Sequence, residues 1–343
     1  MKPLVSILIP AYNAEEWISD TLRSAIAQTW ERKEILVVDD GSKDRTLAIA
    51  RKFESEGVRV ITQPNQGAAA ARNKALSSCR GDYIQYLDAD DLLAPAKIAL
   101  QMEALESLAD RRMLVSGPWG EFMYRHDRAK FAPSALWCDL SPIEWLLRKM
   151  QFNTYMQTAS WIVSRELAEE AGPWDPALLV DDDGEYFCRV ILASHGVKFV
   201  PEAKVYYRNS GAGSLSYIGL SSPKMAAQWR SMKLHVGYIR SLEESQRVRE
   251  GCLTYLQCWI GSFYSSRPDL VKQAEELAAS LGGALYPPAL SWKYSWMVPL
   301  CGREQARRAK VLLPRIKWEL IRRVEKTLYR LEGKNLQGGL NRT

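Results

Sequence analysis

The chain has 343 residues, 47% of them apolar, with 46 Lys and Arg against 40 Asp and Glu. That length and apolar content exclude a disordered chain and allow a large core in one domain or two. A formal charge of +6 does not make the whole chain a nucleic-acid binder, although its last stretch is clearly basic, and six scattered cysteines without a CxxC pair suggest neither a zinc site nor a disulfide framework and fit a reducing cytoplasm.

The opening run LVSILIPAY meets Glu15 and Glu16 too soon for a signal peptide, and no run of about 18 apolar residues predicts a spanning helix. Four β-rich runs follow in order: LVSILI (4–9), EILVVD (34–39), VRVIT (58–62) and DYIQYLD (82–88). They alternate with helical patterns, which predicts βαβ units and a mostly parallel sheet. In the first helix Ile18, Leu22, Ala25 and Ile26 form an apolar stripe, and Asn13 with Glu16 reads as a capping pair at its start. The second helix is predicted from about Ser42, with Leu47, Ala50 and Phe53 inward; the third, GAAAARNKALSS, begins after Gly67.

Each strand ends in a polar cluster: PAYN (10–13), DDGS (39–42), PNQG (64–67) and DADD (88–91). In an open parallel sheet these fall on the carboxyl edge, where ligands bind. IPAYNAEE has no glycine where a dinucleotide fingerprint needs one, and no P-loop is present. A receiver-type acidic pocket would end near residue 120 and leave a downstream acidic cluster unexplained. Asp88, Asp90 and Asp91 repel one another unless a cation, donors or solvent offset the cost. A divalent metal is one candidate; the alternative is that Asp90 or Asp91 caps the helix in LLAPAKIALQMEALESL.

In this order, VSILIPAYNAEEWISDTLRSAIAQT, EILVVDDGSKDRT, NQGAAAARNKAL and YIQYLDADD resemble the family 2 glycosyltransferases, over about residues 3–210. The resemblance implies an inverting nucleotide-sugar enzyme with the α/β GT-A fold, a Rossmann-like sheet flanked by helices. It further implies that Pro10, Ala11 and Tyr12 line the base and ribose, that Asp39 accepts from the uracil imide, that Asp40 supports that loop, and that Arg72 approaches the nucleotide. DADD would be the DxD motif, with Asp88 near the ribose and the metal, and Asp90 on Mn²⁺ or Mg²⁺ at the diphosphate. Such ions prefer oxygen ligands and often use only one or two carboxylates.

Downstream, MLVSGPWGEFMY (113–124) is strand-like, PIEWLLRKM (142–150) is helical, and residues 111–170 are expected to build the acceptor side. Trp161 and Trp174 read as core, with sugar stacking the alternative. In LLVDDDGEYFCRVI, Asp181, Asp182, Asp183 and Glu185 crowd a predicted helix start, which is favourable by itself. Counted back from Arg189, Asp182 and Asp183 take the places of the family's Glu-Asp pair, which implies Asp183 as catalytic base. The extra Asp181 leaves Asp182 as the alternative by one register step. Arg208, Ser214 and Ser216 are candidates to close over a diphosphate, a plain loop being the other reading.

Residues 1–220 are expected to form the transferase domain and 221–343 a helical extension. From 292 to 331 basic residues interleave with Trp292, Trp296, Trp318 and leucines, a pattern suited to an anionic membrane surface or to a solvated helix face. The expected partners are a nucleotide-sugar, favoured as UDP-linked, and a glycan or lipid-linked acceptor, with no nucleic acid; the expected place is the cytoplasm or the inner face of the cell membrane. No QxxRW follows the acidic pair, which favours single-sugar transfer over processive synthesis. A non-catalytic nucleotide- or glycan-binding scaffold is the rival from another class, and a metal-dependent phosphohydrolase the other enzymatic one.

Overall fold

The computed structural model describes residues 2–210, 218–219, 221–264, 266–288, 317–329 and 331, together with residues 293, 296, 298–300, 302, 305 and 313. In chain order, β1 (Val5–Ala11), α1 (Ile18–Ile26), β2 (Lys33–Asp39), α2 (Thr46–Arg51), β3 (Val58–Thr62), α3 (Ala68–Ser78) and β4 (Tyr83–Tyr86) form three βαβ units. After them come β5 (Leu92–Leu93), α4 (Lys97–Leu108), β6 (Met113–Ser116), β7 (Trp119–Phe122), α5 (Pro142–Gln151), β8 (Val163–Ser164), α6 (Arg165–Ala171), α7 (Asp182–Ala193), β9 (Gly196–Phe199) and β10 (Val205–Arg208). Three helices follow, α8 (Ser222–Leu242), α9 (Gln246–Phe263) and α10 (Pro268–Ser280).

The main sheet has the order β3-β2-β1-β4-β8, with β8 antiparallel and the other neighbours parallel. All seven residues of β1 are buried, as a strand covered on both faces requires. Alternation divides them between two layers: Ile7 and Ile9 join the cluster of Leu22 and Val37, while Leu8 joins that of Ala71 and Tyr86. The register Ala11 to Asp39 to Thr62 brings the ends of β1, β2 and β3 level, so the turns after them share one edge. Two smaller sheets, β5-β10-β7 and β6-β9, close the second half.

Three local expectations need correction. Asn13 does not cap α1, which starts at Ile18; with φ 48° it bends the chain so that its Oδ1 accepts from Lys43 N at 2.8 Å. The second helix starts at Thr46 rather than Ser42, and Asp44 accepts from Thr46 N at 2.9 Å. Asp91 caps no helix, because α4 begins six residues later at Lys97 and has no side-chain cap.

Beyond residue 221 the helices continue the same core. Tyr186 and Phe187 of α7 share a buried cluster with Met225, Trp229 and Met232 of α8 and with Cys252 and Leu256 of α9. A further helical stretch, 317–329, lies against the β7 end of the sheet domain. Among the described residues no helix is long and apolar enough to cross a membrane.

Candidate functional site

The turn after β2 is built to hold one carboxylate rigid and leave one oxygen of another without a partner. Asp40 Oδ1 accepts from Gln63 Nε2 at 2.8 Å and Gln66 N at 2.9 Å, and its Oδ2 from Gly67 N at 2.8 Å. Asp40 therefore ties the turn to the start of α3. Gly41 turns the chain at φ 71°, and a Cβ there would stand 2.9 Å from Asn65 N. Asp39 is buried, with Oδ2 accepting from Ser42 N at 3.2 Å and Oδ1 lacking a partner. A buried acceptor without a donor is costly, which makes Oδ1 the candidate acceptor on this edge. Pro10 and Ala11 sit beside it at the end of β1, buried, and Tyr12 is exposed above them.

Arg72 joins the two acidic motifs. It sits on α3 above the ring of Trp174, 4.5 Å from its centroid. Asn73 fixes that ring's backbone by donating to Trp174 O at 2.9 Å and accepting from Trp174 N at 2.8 Å. One guanidinium nitrogen donates to Asp88 Oδ1 and another to Asp182 Oδ2, each at 2.7 Å, while Nε has no partner. Burial disfavours the charged guanidinium, yet Asp88 and then Asp182 push its pKa up. It stays a cation between carboxylates 94 positions apart in sequence.

Asp90 and Asp91 diverge. Asp90 is half-buried, and burial followed by the Asp88 charge pushes its carboxyl up to about 6, against the opposing Ser210 hydroxyl and Arg208. Asp91 is fully buried, accepting from Arg208 N at 2.7 Å through Oδ1 and from Gln157 Nε2 through Oδ2. It fastens β10 and the 157–160 turn to the acidic loop. Asp88 and Asp90 therefore remain as the oxygen donors facing the edge. Among the described residues no group of three His, Cys, Asp or Glu is arranged to hold a metal by itself. Asp90, whose charged form is disfavoured by burial and by the neighbouring Asp88, together with Asp88 fits a divalent ion completed by diphosphate oxygens and water.

The second acidic motif opens α7. Asp181, with φ 56°, points its carboxylate back over the helix start, where Oδ2 accepts from Ser231 Oγ at 2.5 Å and Gln228 Nε2 at 3.3 Å. A Cβ on Gly184 would stand 2.0 Å from Asp181 Oδ1, so glycine is needed there. Asp182 turns to Arg72; burial raises its pKa and Arg72 opposes the rise. Asp183 accepts from Thr158 Oγ1 at 3.1 Å and Gly184 N at 2.9 Å. Burial first, then the charges of Asp182 and Asp181, push its carboxyl up to about 7. Glu185 is spent on Arg189, at 2.8 Å, and on Tyr238 OH, at 2.5 Å.

Arg208 is built into the wall below Asp90. Its guanidinium lies 4.3 Å from the Trp17 centroid and 4.5 Å from that of Phe122, and Nε donates to Asp90 O at 2.7 Å. Ser214 and Ser216 lie outside the described residues. Trp161 and Trp174 are core, at 1% and 0% exposure; Trp174 stacks on Tyr186 at 4.1 Å. Sequence reasoning missed Thr158 and Gln157, whose partners Asp183 and Asp91 lie 25 and 66 positions away. No local pattern marks such residues.

Comparison with known proteins bears on the family and the fold. Residues 6–159 match the model of glycosyl transferase family 2. The chain is 42% identical over 105 residues to a provisionally named teichuronic acid biosynthesis glycosyltransferase, TuaG, of Bacillus subtilis, covering 30% of this chain and 42% of that one. It is 44% identical over 103 residues to chondroitin synthase of Escherichia coli, covering 29% of this chain and 15% of that one. The chain thus spans well under half of these relatives. Among solved structures, S. aureus TarS 1-349 in complex with UDP-GlcNAc superposes with a TM-score of 0.63 at 18% identity, over 81% of each chain. At that identity the likeness is one of fold.

Proposed function

We propose that this chain is a family 2 glycosyltransferase that moves a sugar, with inversion, from a UDP-linked donor to a hydroxyl acceptor in the synthesis of a surface polysaccharide or glycolipid. The family match over residues 6–159 supports the transferase class, and the polysaccharide-related names of TuaG and chondroitin synthase support the setting. One observation carries the proposal: Arg72 bridges Asp88 and Asp182, which brings the two acidic motifs together around one cation. A structural ion pair alone would not need the unpartnered Asp39 Oδ1 on the same edge.

In this account Asp39 Oδ1 takes the imide N–H of uracil, Tyr12 covers the base, and Asp40 keeps the turn closed around it. Asp88 and Asp90 would hold Mn²⁺ or Mg²⁺, which supplies Lewis-acid stabilisation of the leaving diphosphate when bound. Arg72, held positive by its two carboxylates, keeps those groups in register beside the nucleotide. Asp183 takes the proton of the acceptor hydroxyl as its oxygen attacks the anomeric carbon and the bond to the diphosphate breaks on the opposite side. A carboxyl near 7 suits that task, because near neutral pH a substantial fraction is ionised and that fraction is far more basic than an ordinary carboxylate. Asp182, held by Arg72, is not free to do it.

The test is incubation with UDP-hexoses, Mn²⁺ and a mixed glycan acceptor pool, following UDP release and the anomeric configuration of the product by NMR. UDP release with an inverted glycoside supports the proposal. Release of inorganic phosphate, or retained configuration, would reject it.

A further inference from the structure

The helix over 317–329 is docked the wrong way round for a soluble surface helix. Its polar side faces the protein: Glu325 accepts from Arg125 Nε at 2.9 Å and Nη2 at 2.6 Å, and Lys326 donates to Glu16 at 2.6 Å. Glu319, Arg322, Glu325 and Lys326 are the residues of this stretch that are partly covered. Leu320, Ile321, Val324 and Leu328 recur at helical spacing on the opposite side, and Leu320 and Val324 are each more than half exposed. An amphipathic helix on a soluble protein turns its apolar stripe inward. Here the stripe faces out, although ion pairs to Arg125 and Glu16 hold the helix in place.

We propose that this outward stripe seats the protein on an anionic lipid surface. Charge selects that occupant. Residues 302–331 hold ten Lys and Arg against three Glu, and the exposed Lys317 and Arg323 lie on the helix itself. Leucines to enter the acyl boundary and cations to meet anionic headgroups are the two components of interfacial binding. A second copy of the chain would bring the same excess of positive charge against itself. The docked face is also near the proposed catalytic edge: Tyr329 packs on Tyr124 at 5.8 Å, Tyr124 on Trp17 at 5.3 Å, and Trp17 flanks the Arg208 that bonds Asp90. A membrane met by this helix would present a lipid-linked acceptor from that same side; this consequence alone rests on the proposed transfer.

The experiment is co-sedimentation of the full chain with vesicles of phosphatidylcholine alone and with phosphatidylglycerol added. The expected result is binding to the anionic vesicles that falls at least about tenfold in 0.5 M NaCl, and in the variants Leu320→Ser with Val324→Ser or Lys317→Glu with Arg323→Glu. Melting temperature and the response to UDP, which these exposed positions do not touch, should hold in both variants and show that they fold. No binding to anionic vesicles, equal binding to neutral ones, or variants that bind like the parent would overturn the inference. So would variants whose only change is conversion of a dimer to a monomer by gel filtration. UDP release from donor is read separately, so failure of the membrane inference and failure of the transfer proposal are told apart.

Discussion

At the scale of single residues, the account turns on which carboxylates are held by cations and which are not. Asp182 has Arg72; Asp183 has only a hydroxyl and a backbone N–H, and its carboxyl stands near 7. Acting as base, Asp183 should make kcat/KM rise with pH and level off above about 7, and Asp183→Asn should abolish transfer while leaving the UDP-induced rise in melting temperature in place. Stability gives an independent sign. A carboxyl whose folded pKa lies above its unfolded value loses protons less readily when folded, so its contribution falls as pH rises from about 4 to about 7. The Asn variant lacks that loss, and its melting temperature should exceed the parent's at pH 8, with the difference shrinking toward pH 4. Equal melting temperatures at pH 8 would mean that Asp183 is not held in a costly environment. Arg72→Met should do the reverse and destabilise by about 3 kcal/mol in chemical denaturation at pH 8, because it leaves two partly buried carboxylates unpaired. Arg72→Lys should recover only part, since a point charge cannot bridge both.

At the scale of elements, the acidic start of α7 is set by α8, through Ser231 and Gln228 on Asp181. Removing that tie should disturb the base side and spare the nucleotide side. Ser231→Ala is expected to lower kcat several-fold with donor KM unchanged, and Gly184→Ala, which displaces the Asp181 carboxylate, to lower it further. A rise in donor KM alone in either variant would place the tie elsewhere. This is also where the limits of sequence reasoning are plainest. The four parallel strands of the main sheet were legible, because the apolar part of runs such as EILVVD is buried on both faces. The start of α1 was not: Asn13 and Glu16 match a capping pair, but Asn13 adopts a left-handed turn to meet Lys43 N, 30 positions on. Asp91 looked like a cap for the same reason, and its real partner, Arg208 N, is 117 positions away. Local patterns report local bonds, and both residues serve distant ones.

At the scale of the whole molecule, one edge of a parallel sheet gathers Asp39, Asp40, Asp88 and Asp90, and the second half of the chain folds back to add Asp182 and Asp183 through Arg72. The first gathering follows from strand order and was legible in the four polar clusters. The second depends on how α7 packs against α8 and α3, and only the family resemblance pointed to it. The helical region was legible as helices but not as a continuation of the same core, since its apolar faces do not name the partner they cover.

The central claim is that this edge binds a uridine nucleotide with a divalent ion, and thermal unfolding tests it most directly, because a ligand that binds only the folded chain must raise its melting temperature. We would measure the melting temperature with UDP, GDP, TDP and CMP, each with and without Mn²⁺, for the parent, Asp39→Asn and Asp90→Asn. The account predicts a rise with UDP that Mn²⁺ enlarges, that is weakened in Asp39→Asn, and that loses its Mn²⁺ dependence in Asp90→Asn. No rise with any nucleotide at millimolar concentration, or a rise with UDP untouched by both substitutions, would contradict it.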